Sequence, residues 1–318
     1  WDISAENANG IEIRNTTAYF IIRNCCVHDG PNYAGISFYN VTNGVIDNNL
    51  LENNKYGISL DGSSNNTLKF NICTNDGVDS VEHGIVLSSS GNNVISNNTC
   101  ENNSRDGIGL YNYSNGCAIS NNICENNSGD GIYLSSSSNI TISNNTCVNN
   151  KGNGIGLYNN CLYNTLENNV VNLNGARGIM LMFYCWYNNI RNCMVENSNW
   201  GFVLTSSNQN NIENCVVKNN GTVGIHLHNS GQNNILNCIV MKNGLNPWPG
   251  YLIPSGIHID DVGGSNNIVE NCTIENNFCG FTTWFSASGN YIYHNNFVNN
   301  VSQAYDNGSN YWDDGYPS

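Results

Sequence analysis

Two short stretches of the chain combine histidine and aspartate in a pattern typical of a β-strand. The sequence reads GIHLH over residues 224–228 and GIHIDD over residues 256–261. In a strand, alternate side chains share a face, so the polar residues of each stretch lie opposite the isoleucines and the leucine. A histidine beside a carboxylate can act as a general base while a second histidine serves as the acid. The candidate catalytic residues are therefore His226, His228, His258, Asp260 and Asp261.

Other chemistries are open to the same residues. Asp260 and Asp261 could instead bind Ca²⁺, which prefers oxygen ligands and would bridge an acidic polymer to an acidic protein. The three histidines are also compatible with a copper or zinc ion. The plainest interpretation is a solvated strand face whose side chains need only be hydrophilic.

A second group of titratable residues precedes three successive strand glycines. His83, Asp106 and Asp130 occupy this position, and if neighbouring coils stack, they lie one above the other. Two carboxyl groups at a suitable separation are what glycoside hydrolysis requires, so these residues form a secondary candidate site. Aspartate before glycine is also ordinary turn chemistry, which gives a purely structural alternative.

Aromatic residues share the outward strand positions and an insertion between the two histidine stretches. This inserted loop, residues 245–255, contains prolines that stiffen it and two rings that could wall a groove. Such rings offer apolar faces to sugars, although scattered exposed aromatics are normal on protein surfaces. The candidate substrate-binding residues are Trp248, Tyr251, Tyr111, Tyr133, Tyr158 and Trp284.

A regular repeat must position all of these side chains. Glycine followed by isoleucine or phenylalanine recurs about every 24 to 25 residues, which is the signature of a repeat architecture. Each unit carries three short apolar-alternating segments, so it predicts three strands per repeat. These repeated glycines, here called the glycine marks, are Gly10, Gly35, Gly57, Gly84, Gly107, Gly131, Gly154, Gly178, Gly201, Gly224, Gly256 and Gly280.

Such short strands cannot bury an apolar face or pair their edges alone, but stacked copies can do both. The repeat therefore predicts an all-β fold, a single-domain parallel β-helix over residues 1–318 with about 12 coils and three short strands per coil. Parallel crossover connections are right-handed by default. Residues 301–318, with Trp312, Asp313 and Asp314, are predicted to cap the last coil.

Alignment of the coils predicts two inward columns. The first holds asparagine or cysteine, from Cys25 to Asn296, and predicts a ladder of hydrogen-bonded amides. The second, from Val27 to Val298, is wholly apolar. Most of the 14 cysteines fall in these columns, so we expect buried structural thiols. Cys161 and Cys185 sit at equivalent places in adjacent coils, where a disulfide is an alternative.

Composition narrows the classes of function. A net charge of −14 with a pI near 4.5 disfavours nucleic acid as a partner, because its phosphates would be repelled. The sequence has no run of 18 apolar residues, so it predicts no membrane span. Asparagine, at 69 of 318 residues, and glycine argue against helices. Because the chain begins at Trp1 without an initiator methionine, we expect a processed or excised chain.

The repeats carry a family resemblance over nearly the whole chain. Residues 131–150, GIYLSSSSNITISNNTCVNN, resemble the short repeats of NosD-type β-helix proteins and of the carbohydrate-binding and sugar-hydrolase superfamily. Residues 307–318, NGSNYWDDGYPS, are similar to the segment that closes many such proteins, notably archaeal surface proteins. The resemblance implies a right-handed β-helix, export, and frequent action on polysaccharides. NosD itself is associated with copper maturation of a reductase, which implies a second functional class.

The leading prediction is an extracellular or cell-surface solenoid that binds a polysaccharide. Its enzymatic form would be a lyase or hydrolase assisted by a cation such as Ca²⁺, with disaggregatase-type enzymes of archaeal matrices as relatives by resemblance. One feature speaks against an enzyme, because the sequence places no lysine or arginine beside the histidine stretches. The alternatives are a non-catalytic adhesion or structural module and a copper-handling accessory protein of the NosD kind.

Overall fold

A computed structural model describes residues 1–76, 82–244 and 253–312 of the chain. These residues form β-strands without helices, and accordingly none of them belongs to a helix able to cross a membrane. Strands of three kinds, here called A, B and C, follow one another along the chain, and each kind pairs in parallel with its own kind in the neighbouring coil. The all-β parallel β-solenoid of about 12 coils is thereby confirmed. Two compact units are distinguished, residues 1–156 and residues 157–318.

The A strands are three residues long and bury their middle residue. In the first unit Cys73, Cys100, Cys124 and Cys147 stand in register on successive A strands, and all four are fully buried. A small apolar side chain fits this column because the strands are close together. The A strands are Asp2–Ser4 (β1), Cys26–His28 (β4), Leu50–Glu52 (β7), Ile72–Thr74 (β10), Thr99–Glu101 (β13), Ile123–Glu125 (β16), Thr146–Val148 (β19), Val170–Asn172 (β22), Met194–Glu196 (β25), Val216–Lys218 (β28), Ile239–Met241 (β31), Thr273–Glu275 (β34) and Asn296–Val298 (β37).

The C strands carry the central aliphatic residue of each repeat. Ile95, Ile119 and Ile142 are in register and fully buried, as the alternation of the sequence predicts. The C strands are Phe20–Arg23 (β3), Gly44–Asp47 (β6), Thr67–Lys69 (β9), Val94–Ser96 (β12), Ala118–Ser120 (β15), Thr141–Ser143 (β18), Thr165–Glu167 (β21), Asn189–Arg191 (β24), Asn211–Glu213 (β27), Asn234–Leu236 (β30), Ile268–Glu270 (β33) and Tyr291–Tyr293 (β36).

The first twelve B strands each begin one residue before or after a glycine mark, and the B strands are the longest of the three kinds. Glycine is needed there because a Cβ on Gly224, for example, would lie 2.5 Å from the carbonyl oxygen of Gly256 in the next coil. The B strands are Ile11–Thr16 (β2), Ala34–Val41 (β5), Tyr56–Asp61 (β8), Ile85–Ser88 (β11), Ile108–Tyr111 (β14), Ile132–Ser135 (β17), Ile155–Tyr158 (β20), Arg177–Met182 (β23), Trp200–Thr205 (β26), Val223–His228 (β29), Ser255–Asp260 (β32), Cys279–Trp284 (β35) and Ser302–Asp306 (β38).

The predicted asparagine ladder is present, and it explains the recurring Asn–Asn pairs. Asn98 donates from Nδ2 to Oδ1 of Asn122 at 3.0 Å, and its backbone N–H donates to the same oxygen at 2.9 Å. The first residue of each pair, such as Asn97 with φ 56° or Asn121 with φ 58°, takes the left-handed conformation that turns the bend. Asparagine tolerates this region well, so one residue turns the chain and the next satisfies the buried backbone.

The last coil departs from the predicted alignment by one residue. Cys272 donates its backbone N–H to Oδ1 of Asn295, so Asn295 and not Asn296 occupies the ladder column. Phe297 pairs with Ile274, and the inward position is therefore Phe297 instead of Val298. The error arises because Ile292, and not a neighbouring tyrosine, is the central buried residue of this coil.

The cysteines behave as buried apolar residues. None of the 14 forms a disulfide, and all except Cys26 are buried. Cys161 and Cys185 are therefore not bridged. In the A strands, the hydrogen bond with Cys124 raises the pKa of the Cys147 thiol, and burial raises it further. Such thiols stay protonated and unreactive, which fits a structural role.

The predicted C-terminal cap is described as far as Trp312. The indole ring packs edge-on against Phe281, with ring centroids 5.4 Å apart, and its Nε1 donates to Oδ2 of Asp306 at 2.8 Å. Strand β38 pairs with β35, so this segment covers the edge of β35 that would otherwise be unpaired. Asp313 and Asp314 lie outside the described residues.

Candidate functional site

Strands β29 and β32 bring the two histidine stretches side by side. They pair in parallel with His226 opposite His258 and His228 opposite Asp260. The intervening Ile225 and Leu227 are fully buried in the solenoid interior, so alternation places the polar residues on the outward face of the strands. The predicted juxtaposition of four titratable side chains is therefore observed, although their catalytic roles remain a prediction.

Asp260 is the centre of this group, here called the histidine cluster: His226, His228, His258 and Asp260. Oδ1 of Asp260 lies 3.2 Å from Nε2 of His226 and 2.9 Å from Nδ1 of His228. Its other oxygen, Oδ2, lies 3.4 Å from Nε2 of His258. One carboxylate thus faces three imidazole rings, and it orients all of them.

Burial differs sharply within the histidine cluster. His226, His258 and Asp260 are buried, whereas the His228 side chain is 44% exposed. Burial lowers the pKa of His226 to about 4, although the Asp260 carboxylate opposes this effect. Burial alone would raise the pKa of Asp260, but the hydrogen bond from His226 and the charge interaction with the nearby His258 hold it well below its usual range. At neutral pH the cluster therefore contains an ionised carboxylate and a neutral, buried His226.

His258 is held from the opposite side by the next strand. Its Nδ1 contacts Oγ1 of Thr282, the residue paired with it in register on β35. Its Nε2 is fully buried and makes no hydrogen bond of good geometry within the described part of the chain. The 3.4 Å contact with Asp260 is close enough for charge interaction but poorly directed for a hydrogen bond.

The histidine cluster forms one wall of an open cleft of about 270 Å³. The Trp200 indole lies almost parallel to the His226 ring, with centroids 5.4 Å apart and an interplanar angle of 23°. Arg177 pairs with Trp200 in register on β23 and places a guanidinium in the same cleft. The cleft is lined by Arg177, Trp200, Val203, Thr205, His226, His228 and Asp260.

Arg177 corrects the expectation that no lysine or arginine lies beside the histidine cluster. The residue is distant in sequence, but it stands two coils away in the position that precedes the strand glycine, and it lines the same cleft. Trp200 occupies that position in the intervening coil. The residues that precede the glycine marks in three successive coils are Arg177, Trp200 and Val223. A comparison of this position from coil to coil would have identified Arg177 and Trp200 as neighbours of the histidine stretches.

Of the remaining predicted site residues of the second unit, those that the structure describes are not among the residues that line the cleft. Asp261 has φ 68°, and its Oδ1 accepts the Val262 backbone N–H, so the carboxylate is turned into a local bend. Trp284 pairs with Asp260 in register, and its ring stacks on Phe285. Tyr158 ends strand β20 and is half-buried. Trp248 and Tyr251, with residues 245–252 of the inserted loop, lie outside the described residues.

The secondary candidate site of the first unit has a different organisation. Tyr111 folds back so that its hydroxyl donates to Oδ2 of Asp106 at 3.2 Å and lies 3.3 Å from Nε2 of His83. Gly109 makes this possible, because a Cβ there would lie 2.9 Å from the Tyr111 ring and 3.2 Å from Nδ1 of His83. Burial and the Asp106 carboxylate raise the pKa of Tyr111. We call His83, Asp106 and Tyr111 the tyrosine group.

The carboxylates of Asp106 and Asp130 serve the coil-to-coil hydrogen bonding. Oδ1 of Asp106 accepts the backbone N–H of Asp130 at 2.7 Å, and Oδ1 of Asp130 accepts the backbone N–H of Asn153 at 2.7 Å. Both side chains are buried. The rings of Tyr111 and Tyr133 stack on each other with centroids 5.0 Å apart. These contacts favour the structural alternative for this pair of aspartates.

The histidine cluster also contains a possible set of metal ligands. One donor atom each from His226, His228 and Asp260 lies within 4.8 Å of the others. Two imidazole nitrogens and one carboxylate oxygen suit zinc or copper better than calcium, which takes six to eight oxygen ligands. The carboxylate of Asp261 does not belong to this set, and calcium binding by Asp260 and Asp261 stays a prediction.

Several solved structures share the architecture. The A-module of the mannuronan C-5 epimerase AlgE4 of Azotobacter vinelandii is 12% identical, with a TM-score of 0.59 over 93% of this chain and 87% of that one. The Dettilon tailspike protein is 14% identical, with a TM-score of 0.60 over 96% of this chain and 60% of the tailspike. The catalytic domain of a GH87 α-1,3-glucanase is 16% identical, with a TM-score of 0.58 over 75% and 58%. At such identities the likeness concerns the fold.

Sequence comparison gives the family directly. No curated protein matches the chain in sequence. The family model described as the right handed beta helix region matches residues 9–171 and residues 158–297. These two ranges cover most of the chain, and the fold that the family model describes agrees with the three parallel strands in each coil. The chain therefore belongs to the right-handed β-helix family.

Proposed function

We propose that the chain is an exported protein that binds an extracellular polysaccharide in the cleft beside the histidine cluster and cleaves it there. One observation carries the proposal. His228, half-exposed in the cleft, is held through Nδ1 by the buried carboxylate of Asp260 at 2.9 Å. A fixed imidazole next to an ionised carboxylate is an arrangement suited to proton transfer.

The bond to Asp260 determines which nitrogen of His228 can react. If Nδ1 donates its proton to the carboxylate, Nε2 carries the lone pair and can accept a proton in the cleft. The negative Asp260 then stabilises the imidazolium that forms. The proton could come from water, as in a hydrolase, or from the carbon next to a sugar carboxylate, as in a lyase. In the hydrolase reaction the water oxygen bonds to the anomeric carbon while the glycosidic carbon–oxygen bond breaks. In the lyase reaction the electron pair of the carbon–hydrogen bond forms a carbon–carbon double bond while the glycosidic carbon–oxygen bond breaks, and in both reactions the leaving oxygen takes up a proton from water.

Two further residues of the cleft support a sugar polymer as the ligand. The Trp200 indole is the type of ring that packs against the apolar face of a sugar. The Arg177 guanidinium can bind a carboxylate through paired hydrogen bonds, which favours polymers that contain uronic acids. An anionic polymer would otherwise be repelled by a chain of net charge −14. The name of one structural neighbour, an epimerase of mannuronan, is consistent with this substrate class, and that of another, an α-1,3-glucanase, is consistent with a polysaccharide in general.

The test is incubation of the purified chain with a panel of uronic-acid and neutral polysaccharides. Absorbance of unsaturated products would identify a lyase, and new reducing ends without that absorbance would identify a hydrolase. His28→Ala is a matched control, because His28 also contacts carboxylates, at 3.1 Å to Asp2 and 2.8 Å to Asp29, but lies outside the cleft. Cleavage that survives His228→Ala would contradict the proposal, and binding without cleavage would favour an adhesion module. Fractionation of the source cells tests export.

A further inference from the structure

We infer that His226, His228 and Asp260 form a binding site for a divalent transition-metal ion of the zinc and copper class, with an open coordination position toward the cleft. The inference goes beyond the proposed function because it requires no polysaccharide, and it concerns a separate state of the cluster, since an ion bound to Nδ1 of His228 would replace the proton that this nitrogen shares with Asp260 in the proposed cleavage. It rests on the geometry of three donor atoms, on the surroundings of His258, and on the accessibility of the cleft.

The donor atoms already converge on one point. Nε2 of His226 and Nδ1 of His228 lie 3.2 Å and 2.9 Å from the same oxygen of Asp260, and the three donors lie within 4.8 Å of one another. An ion placed among them would receive one lone pair from each side chain. The backbone register of β29 and β32 fixes these positions, so little conformational entropy is lost on binding.

His258 provides the second observation. Its Nε2 is completely buried, lacks a hydrogen bond within the described residues, and points at Oδ2 of Asp260 from 3.4 Å. A buried nitrogen without a partner is costly, and a bound ion or water close by is one way in which such a group is satisfied. Thr282 contacts the other ring nitrogen, so the orientation of His258 beside the three ligands is set by the next strand.

The ligand set is accessible from the cleft. Asp260 adds a carboxylate oxygen to the two imidazole nitrogens, and this combination suits a divalent transition-metal ion. The half-exposed His228 and the cleft beyond it leave a route by which an ion can enter.

The donor set selects the type of ion. Zinc sites with three protein ligands and one open position are typical of histidine and carboxylate donors, and copper binds nitrogen donors more tightly still. Calcium requires a shell of oxygen atoms, which two imidazoles cannot provide. We therefore expect binding of Zn²⁺ and Cu²⁺ and much weaker binding of Ca²⁺ at this cluster.

The test is equilibrium dialysis of the whole chain against Zn²⁺ and, separately, Ca²⁺ without polysaccharide, followed by elemental analysis. We expect one zinc per chain and an affinity at least ~10-fold lower in Asp260→Asn and in His228→Ala, because each removes a ligand. His28→Ala and Cys26→Ser are controls for the exposed imidazole and the one thiol that is not buried, and neither should change the stoichiometry. Circular dichroism verifies that each variant is folded.

A Co²⁺-loaded sample gives an independent readout. Nitrogen and oxygen ligands predict visible d–d bands without the thiolate charge-transfer absorption that the cysteines would cause. The inference is overturned if the wild-type chain takes up no stoichiometric zinc, or if folded His228→Ala, whose half-exposed ring is not needed for packing, binds zinc with unchanged affinity. If zinc fails to bind and polysaccharide is still cleaved in the presence of a chelator, the proposed function stands and only this inference is lost.

Discussion

The histidine cluster and the tyrosine group are both built on the outward face of B strands, one in each unit, but from different columns of the repeat. In residues 1–156 the titratable pair His83 and Asp106 precedes the strand glycine, while the strand itself presents Gly109 and Tyr111. In residues 157–318 the position before the glycine holds Val223 and Ser255, and the strand carries the histidines and Asp260.

This difference determines what the carboxylates are bonded to. Asp106 accepts a backbone N–H of the next coil at 2.7 Å and a tyrosine hydroxyl at 3.2 Å, so it replaces a ladder amide. The Asp260 carboxylate sits at the end of its strand, and its partners among the described residues are the imidazoles of the cluster. The Asp106 carboxylate beside the bend is thus taken up by the backbone of the next coil, whereas the Asp260 carboxylate on the outward strand column is bonded to imidazoles that face the cleft.

The largest expected difference concerns cleavage of the polysaccharide. His228→Ala removes the half-exposed base, and we expect the rate to fall about 100- to 10,000-fold, the usual contribution of a positioned general base. His83→Ala removes an imidazole of the tyrosine group, and the rate should change less than about 3-fold, because His83 does not line the cleft and its loss affects stability instead. Initial rates on the polymer identified in the panel measure both. Equal losses in the two variants would show that the comparison is wrong.

The sequence was sufficient to predict the fold and the register of the histidine cluster. The glycine marks fix which strands are equivalent, and alternation fixes which side chains share a face, so the pairing of His228 with Asp260 follows from counting. The same alignment was wrong in the last coil, because Ile292 and Tyr293 are both apolar and the sequence does not show which of them is the inward residue. Choosing Tyr293 shifted the predicted ladder position by one residue, from Asn295 to Asn296.

The part of the site that counting missed depends on side-chain length and direction. Arg177 reaches the cleft from two coils away, and nothing in the spacing of the histidines indicates that distance. The folding back of Tyr111 over Gly109 likewise requires knowing the space around a glycine. The burial of His226 and His258 on an outward face also depends on what surrounds the strand, which the alternation pattern does not record.

The histidine cluster should make the protein sensitive to acid. His226 binds its proton near pH 6.5 in an unfolded chain but only at about pH 4 in the folded protein. Between these values the unfolded chain holds more protons, so stability is complete above pH 6.5 and is lost as the pH falls to 4. The loss amounts to about 3 kcal/mol. Protonation of Asp260, whose pKa is also depressed in the fold, would destabilise the protein further at still lower pH.

Urea unfolding at pH 7, 5.5 and 4 measures this effect. His226→Asn lacks the titrating ring, so its free energy of unfolding should fall less over that range than that of the wild-type chain. An identical slope in both proteins would contradict the assigned role of His226.

Asp106 is expected to matter for stability in the way that a ladder asparagine does. Asp106→Ala leaves the buried N–H of Asp130 and the Tyr111 hydroxyl without an acceptor, which should cost about 2 kcal/mol. Asp106→Asn keeps an oxygen at this position and should recover most of the loss, since Asn153 occupies the same column two coils on. The free energy of unfolding in urea measures both. A larger loss in the Asn variant would indicate that the negative charge, and not the ladder bond, is required.

The smallest expected effect tests the space that the tyrosine group needs. Gly109→Ala places a methyl group against the rings of Tyr111 and His83, and overpacking of this kind costs about 1 kcal/mol. Tyr111 must then move away from Asp106, so its pKa, which that carboxylate and burial raise, should decrease in an ultraviolet titration. Ser59→Ala, in the same outward column two coils away, is the control and should alter neither quantity. Gly109 and His226 occupy equivalent positions in their repeats. An unchanged pKa of Tyr111 in Gly109→Ala would therefore mean that the residue at this position does not determine which side chains come into contact on the outward face of the B strands.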